Sequence, residues 1–241
     1  MIIKAAINGG RTKADHHAVP VTAREQALDV VECLEAGADA IHLHIRGQSG
    51  DESLYPDDVA QTLLAVRSTA PQAKLGISTG AWIMLDTAAR LKAVRAWEVL
   101  PDFVSVNFIE EGAAELSELL LSRGVDVEAG LSESRAAESF LASGLASRCI
   151  RVLFEPQEQE TNEALENVIN MEQLLASGTC DNPRVLHGTE ATTWPLLQEA
   201  MVRGYGVRIG FEDTLLLPDG RVARSNAELV REVVRRRAAG A

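Results

Sequence analysis

The sequence predicts an α/β fold, a (β/α)8 TIM barrel forming a single domain over residues 1–241. Three observations carry that reading. Eight short runs, mostly rich in Val, Ile, Leu or Phe, recur along the chain, and each is followed by a longer segment with helical spacing of its apolar residues. The length of 241 residues suits one large domain, because α/β barrels commonly reach this size undivided. No Gly-x-Gly-x-x-Gly fingerprint and no dividing linker occur, which weakens the competing doubly wound open sheet.

The eight runs are Ile2–Asn8, Ala40–Ile45, Lys74–Thr79, Phe103–Phe108, Val125–Leu131, Arg148–Glu155, Arg184–Gly188 and Val207–Phe211. Helices are marked by their ends. Thr22 and Glu25 form a capping-box pattern ahead of Ala27, Val30, Val31 and Leu34, which share one helical face. Ser225 and Glu228 repeat the pattern before the last helix, whose Arg235–Arg237 run suits the negative end of a helix dipole. Ala36-Gly37-Ala38 and Ser122-Arg123-Gly124 read as helix exits leading into the next strand.

Composition narrows the function. A formal charge of -12 argues against a nucleic-acid partner, which requires a basic face. A few local arginines can still set the field of one pocket, so a small anionic substrate remains compatible. Nothing approaches the roughly 20 apolar residues of a membrane span, and the opening MIIKAAINGG is too short an apolar stretch for a signal peptide. A cytoplasmic enzyme with no membrane partner is expected. Cys33, Cys149 and Cys180 are widely separated and odd in number, so they read as packing residues rather than disulfides or a zinc site.

Active sites of such barrels lie at the carboxy ends of the strands, and polar residues gather at those positions here. They are Asn8, His42 and His44 with Arg46 following, Ser78 and Thr79, Ser105 and Asn107, Glu128, Glu155, His187, and the pair Glu212-Asp213. In Ile41-His42-Leu43-His44-Ile45-Arg46, strand alternation points both imidazoles to one face. Two hydrogen-bonded core histidines would give the same pattern. In Val207–Asp213, alternation places Arg208, Gly210 and Glu212 on one face, and a closed barrel brings inward groups of separate strands to a common mouth. Glu212 can then complete a His2Glu set with open coordination positions, the pattern of catalytic zinc. A plain Arg208–carboxylate ion pair is the simpler structural alternative. His16 and His17 read as solvated loop residues, and Trp82, Trp97 and Trp194 as packing groups, with Trp82 placed to wall a pocket.

Taken together, the stretches KAAINGG, VPVTAREQA, CLEAGADAIHLHIR, ISTG and GYGVRIGFEDTLLLPDGRVARSNAELV resemble, in that order, the β-keto acid cleavage enzyme family. The resemblance runs from the N-terminus to the last helix. It implies a (β/α)8 barrel with one Zn2+ held by His42, His44 and Glu212. It also implies a catalytic pair of Arg208 and Asp213 with Glu128 beside the substrate, and substrate contacts from Ser78 and Ser105. Thr79 and Asn107 sit at neighbouring strand ends, and Arg11 or Arg46 can grip a carboxylate bidentately. The expected reaction joins a small-molecule β-keto acid to acetyl-CoA as co-substrate, giving acetoacetate and a new acyl-CoA. A CoA-independent aldolase-like lyase and a catalytically lapsed metal-binding barrel are the competing readings. Family members assemble as tetramers, so a homo-oligomer is expected. This chain departs from the family pattern at Arg11, where a glutamate is usual. It departs again at Glu155-Pro156-Gln157-Glu158 in place of GVPGG, and at Gly188-Thr189-Glu190 in place of GIGR.

Overall fold

A computed structural model describes residues 1–178 and 180–240. Among them, eight parallel strands close into a barrel in sequence order: β1 (Ile3–Ala6), β2 (Ala40–Leu43), β3 (Leu75–Ser78), β4 (Phe103–Asn107), β5 (Asp126–Leu131), β6 (Arg151–Phe154), β7 (Arg184–Leu186) and β8 (Gly206–Ile209). The last strand pairs with the first, Lys4 lying opposite Arg208. The helices between and after them are α1 (Ala23–Glu35), α2 (Pro56–Thr69), α3 (Thr87–Arg95), α4 (Ala113–Ser122), α5 (Ser134–Ala142), α6 (Thr161–Ser177), α7 (Thr193–Val202) and α8 (Asn226–Ala238). None of the described helices is long and apolar enough to cross a membrane.

The strands are shorter than the apolar runs. Arg148 belongs to a single 3-10 turn, Ala146–Arg148, that precedes β6, and β8 stops at Ile209 rather than Phe211. Runs overestimate strands because the residues that leave a barrel rim stay buried under helices and loops without pairing. Helix ends follow their local chemistry. Thr22 accepts from the Glu25 amide while the Glu25 carboxylate accepts from Thr22 N, completing the box on α1. On α8, Ser225 caps Glu228 N, but the Glu228 carboxylate reaches Arg224 N instead, one residue further out.

Alternation divides the strands into two chemistries. Outward side chains such as Ile3, Ile41, Leu43, Val104, Val127 and Ile209 join one apolar core between barrel and helices. The barrel axis is polar. Lys4 and Glu128, both fully buried, form an ion pair there, Arg151 Nε also donates to Glu128, and Ser105 Oγ donates to it at 2.7 Å. Below them Phe103 plugs the barrel, with the Arg151 guanidinium 4.5 Å from its ring centroid, in space that Gly76 leaves free. Burial opposes the Glu128 charge, yet Lys4 and Arg151 outweigh it and hold the carboxyl well below its usual range. Burial lowers the Lys4 ammonium to about 8 despite Glu128.

Substituting Lys4→Met keeps the packing volume but strands part of the Glu128 charge. The expected cost is about 3–5 kcal/mol, seen as a lower urea midpoint at unchanged m-value. A second expectation concerns Asp29 on α1, which accepts from Asn226 Nδ2 at 2.8 Å. Burial raises this carboxyl from 3.8 to about 7, with Asn226 opposing. Between those pH values the folded chain keeps a proton that the unfolded chain has released, so this group's contribution to stability falls as pH rises. Relative to Asp29→Asn, the parent protein should lose about 3 kcal/mol between pH 4.5 and 7.5 in paired denaturation curves.

Candidate metal centre and active site

Two histidines are fixed at the mouth by their backbone as much as by their rings. His42 is the third residue of β2, and His44 follows its end; Ile41, Leu43 and Ile45 face the apolar core. Asn8 holds the His44 backbone from both sides, accepting from its amide at 2.8 Å and donating to its carbonyl at 3.0 Å, and Gln26 donates to the same carbonyl at 2.9 Å. Ser105 Oγ lies 3.4 Å from His42 Nδ1, and Glu52 carboxylate meets His44 Nδ1. With their Nδ1 atoms occupied, both rings present Nε2 to the mouth.

Glu212 arrives by a turn rather than by strand alternation. Asp213 N and Thr214 N both donate to Gly210 O, at 2.9 and 3.0 Å, so the chain curls directly after β8. Strict alternation would send Asp213 to the opposite face from Glu212; the curl turns both inward. Asn226 secures the curl, its Oδ1 accepting from Phe211 N at 2.6 Å and its Nδ2 donating to Ile7 O at 2.8 Å. Gly9, at φ +52°, clears room for Glu212, since a Cβ there would strike the Glu212 side chain. Arg208 then serves two carboxylates: its Nη2 donates to Glu212 Oε1 at 2.7 Å and Asp213 Oδ1 at 2.5 Å, and its Nε to both Asp213 oxygens at 3.1 and 3.2 Å.

His42 Nε2 lies 3.7 Å from Glu212 Oε2, and His44 Nε2 lies 3.5 Å from Glu212 Oε1. All three donors fall within 4.8 Å of one another. A tetrahedral ion with bonds of about 2.0–2.1 Å would separate its ligand atoms by about 3.3 Å, so the set closes on such an ion with small side-chain shifts. Glu212 Oε2 is buried and makes no hydrogen bond, an orphan that a cation would satisfy. Electrostatics favours this as well. Burial holds His42 well below its usual range and therefore neutral. Burial acts the same way on His44, but Glu212 and Glu52 prevail and raise it to about 9, so an incoming ion displaces a proton there. Glu212 and Asp213 remain ionised despite burial, chiefly because of Arg208.

A cavity of about 410 Å³ opens beside this set, with Trp82, Asn107, Glu155, His187, Arg208 and Glu212 among its walls. Of the residues expected from sequence, Asn107 lines it and donates to Glu110 Oε1 at 3.0 Å. Ser78 and Thr79 are buried at the end of β3, and Thr79 Oγ1 donates to Ser105 O at 3.0 Å. Ser105 and Glu128 sit deeper, linked through the axial ion pair to the back of His42. Arg11 and Arg46 do not reach the cavity. Arg46 donates to the carbonyls of Gly9, Arg11 and Gly50, and Arg11 pairs with Glu190, while the Nε of each is buried without a partner. Trp97 packs in the core as expected, and all three cysteines are buried and free.

Sequence reasoning missed Glu52 and did not assign His187 to the site. The segment after β2 folds back, with Ser53 N donating to Ile45 O at 3.0 Å and Arg46 bridging Glu52, which swings Glu52 onto His44. The signal available was the turn-rich Gly47-Gln48-Ser49-Gly50-Asp51 just ahead of an acidic residue. Trp82 Nε1 donates to both Glu52 oxygens at 3.2 Å and its ring stacks near His44. His187 places Nδ1 3.2 Å from Asp213 Oδ1 and Nε2 3.7 Å from Glu155 Oε2; burial opposes its charge, but these carboxylates raise its pKa.

Isothermal titration with zinc separates ligands from supports. His42→Ala should abolish tight binding, whereas Glu52→Gln, which removes the negative charge behind His44 Nδ1 without touching a ligand, should weaken it about 10- to 100-fold. Equal affinities for all three proteins would dismiss the site.

The comparisons with known proteins agree with this architecture. Over 98% of its length the chain is 27% identical to the 3-keto-5-aminohexanoate cleavage enzyme of Fusobacterium nucleatum subsp. nucleatum, covering 90% of that protein. An 80-residue stretch, 33% of this chain and 28% of the relative, is 40% identical to the 3-oxoadipate:acetyl-CoA acetyltransferase of Cupriavidus necator. The fold superposes on ObcA in its ternary complex with a C4-CoA adduct and oxalate, with a TM-score of 0.73 at 18% identity over 92% of this chain, which spans 64% of the longer ObcA chain. The profile of the beta-keto acid cleavage enzyme family matches residues 1–239, so the chain belongs to that family and is an enzyme acting on β-keto acids.

Proposed function

We propose that the enzyme transfers an acyl group between a β-keto acid and acetyl-CoA, forming acetoacetate and a new acyl-CoA, with a zinc ion held by His42, His44 and Glu212. The observation that carries this reading is the contact of that donor set with the Arg208–Asp213 pair through Arg208, which donates to both Glu212 and Asp213 beside a cavity that Arg208 and Glu212 line. Metal binding alone would have no use for Asp213, which is not one of the three donors. The relative whose name includes acetyl-CoA supports the choice of co-substrate.

When bound, the ion supplies Lewis-acid polarisation of the keto acid's oxygens. The chain's own groups do the rest. Asp213, kept ionised and oriented by Arg208, takes a proton from the carbon between the carboxylate and keto groups. That carbon attacks the acetyl-CoA carbonyl and expels CoA thiolate. The thiolate then attacks the original keto carbon, the bond between that carbon and the nucleophilic one breaks, and Asp213 returns the proton to the released acetoacetate. Asn107, on the cavity wall, orients the substrate with Ser78, buried at the end of β3, and Trp82 covers the side of His44. Ser105 and Glu128 hold His42 from behind, a support to the catalytic set.

The test is acetoacetate production by the zinc-loaded protein from β-keto acids with acetyl-CoA. Asp213→Asn should lower kcat about 10²- to 10⁴-fold while zinc stoichiometry stays the same. Equal turnover without acetyl-CoA would replace this reading by a CoA-independent lyase.

A further inference from the structure

We infer that His187 carries the proton between the substrate carbon in the cavity and the buried carboxylate of Asp213. The inference rests on the proton-abstraction step proposed above and assigns that step a second residue.

Asp213 is placed to hold a proton rather than to collect one. Its side chain has no exposed surface, and it is not among the described residues lining the cavity. Of the side chains that do line it, Arg208 and His187 contact Asp213. A guanidinium stays protonated in proteins, so the imidazole is the group able to carry a proton. His187 follows β7 and is 2% exposed, with Nδ1 3.2 Å from Asp213 Oδ1. Neither of its ring nitrogens completes a hydrogen bond.

The neighbours of the ring assign its two nitrogens. Nδ1 faces the ionised Asp213, so in the neutral ring the proton belongs on Nδ1 and the lone pair on Nε2. Glu155 Oε2 then stands off from Nε2 at 3.7 Å, as two atoms bearing lone pairs do. A proton arriving on Nε2 gives Glu155 a donor on which to close. Burial and Arg208 oppose a charge on the ring, Asp213 and Glu155 favour it, and the balance raises its pKa. His187 is therefore a stronger base than a free imidazole.

Backbone contacts fix the spacing between carrier and acceptor. Glu190 N donates to Asp213 O at 2.7 Å. Thr193 Oγ1 lies within reach of both Gly188 O and Asp213 O, at 3.3 and 3.2 Å. Glu190 adopts φ +48°, the single positive φ among the described non-glycine residues, so strain is accepted where the loop after β7 is tied to Asp213. In the step itself the substrate C–H bond breaks and its electron pair stays on the carbon as an enolate. The proton joins His187 Nε2 while the Nδ1 proton passes to Asp213 Oδ1. The reverse transfers later return a proton to acetoacetate.

The experiment mixes zinc-loaded protein with acetoacetate alone and follows the enolate by its ultraviolet absorbance in a stopped-flow instrument. His187→Ala should slow enolate formation about 10²- to 10⁴-fold. Final amplitude and zinc stoichiometry should stay the same, because Asp213 still receives the proton, and added imidazole should restore the rate. His187→Asn keeps an N–H for Asp213 but cannot accept a proton, so it should be as slow as His187→Ala. An unchanged rate in His187→Ala, a loss that imidazole fails to restore, or a parent-like rate in His187→Asn overturns the carrier. Absence of an enolate in the parent overturns the carrier and the proton-abstraction step together. A His187-dependent enolate, with no acyl transfer from acetyl-CoA to follow, upholds the carrier and overturns the transfer reaction instead.

Discussion

The site depends on one guanidinium held between two adjacent carboxylates. Glu212 and Asp213 are consecutive, both turned inward and both ionised, an arrangement that would repel itself in a buried setting. Arg208, on β8 just before the turn, offsets that repulsion and meets the two acids differently. Glu212 keeps one oxygen free to face the imidazoles, while Asp213 is gripped through both oxygens and stays ionised in a fixed orientation. Asn226 and Gly9 act on the same turn, one tying its backbone down and the other leaving room for its side chain.

The polar barrel axis extends this logic inward. Lys4, Glu128, Arg151 and Ser105 form a connected set that ends at the back of His42. Replacing those groups with aliphatic residues would pack as well, but would leave His42 Nδ1 without an oxygen nearby to orient the ring. The barrel thus uses charge where many relatives of its architecture use branched side chains, and the apolar core is displaced to the layer between strands and helices.

Much of this was legible in the sequence because it follows from short-range periodicity. Alternation in Ile41–Arg46 places two imidazoles on one face, and eight recurring runs dictate a closed sheet in chain order. What was not legible came from loops and from competition for partners. Alternation brought Glu212 inward for the wrong reason, since it stands on a turn, and gave no account of Asp213 joining it. Glu52 reaches His44 only because the intervening segment doubles back. Arg11 and Arg46 read as carboxylate clamps; that loop carbonyls and Glu190 take up part of each guanidinium is something no local pattern reports.

The closure of β8 on β1 has a consequence for biosynthesis. The two imidazoles of the proposed donor set stand at 42 and 44, whereas its carboxylate stands at 212, across the seam where the barrel shuts. A ribosome-bound chain therefore lacks the complete set until β8 and the turn after it have been made, and capture of an ion by all three donors would coincide with the docking of that strand rather than precede it. Pairing over so long a separation is entropically demanding, and the ion would tighten the seam only after the chain had found it.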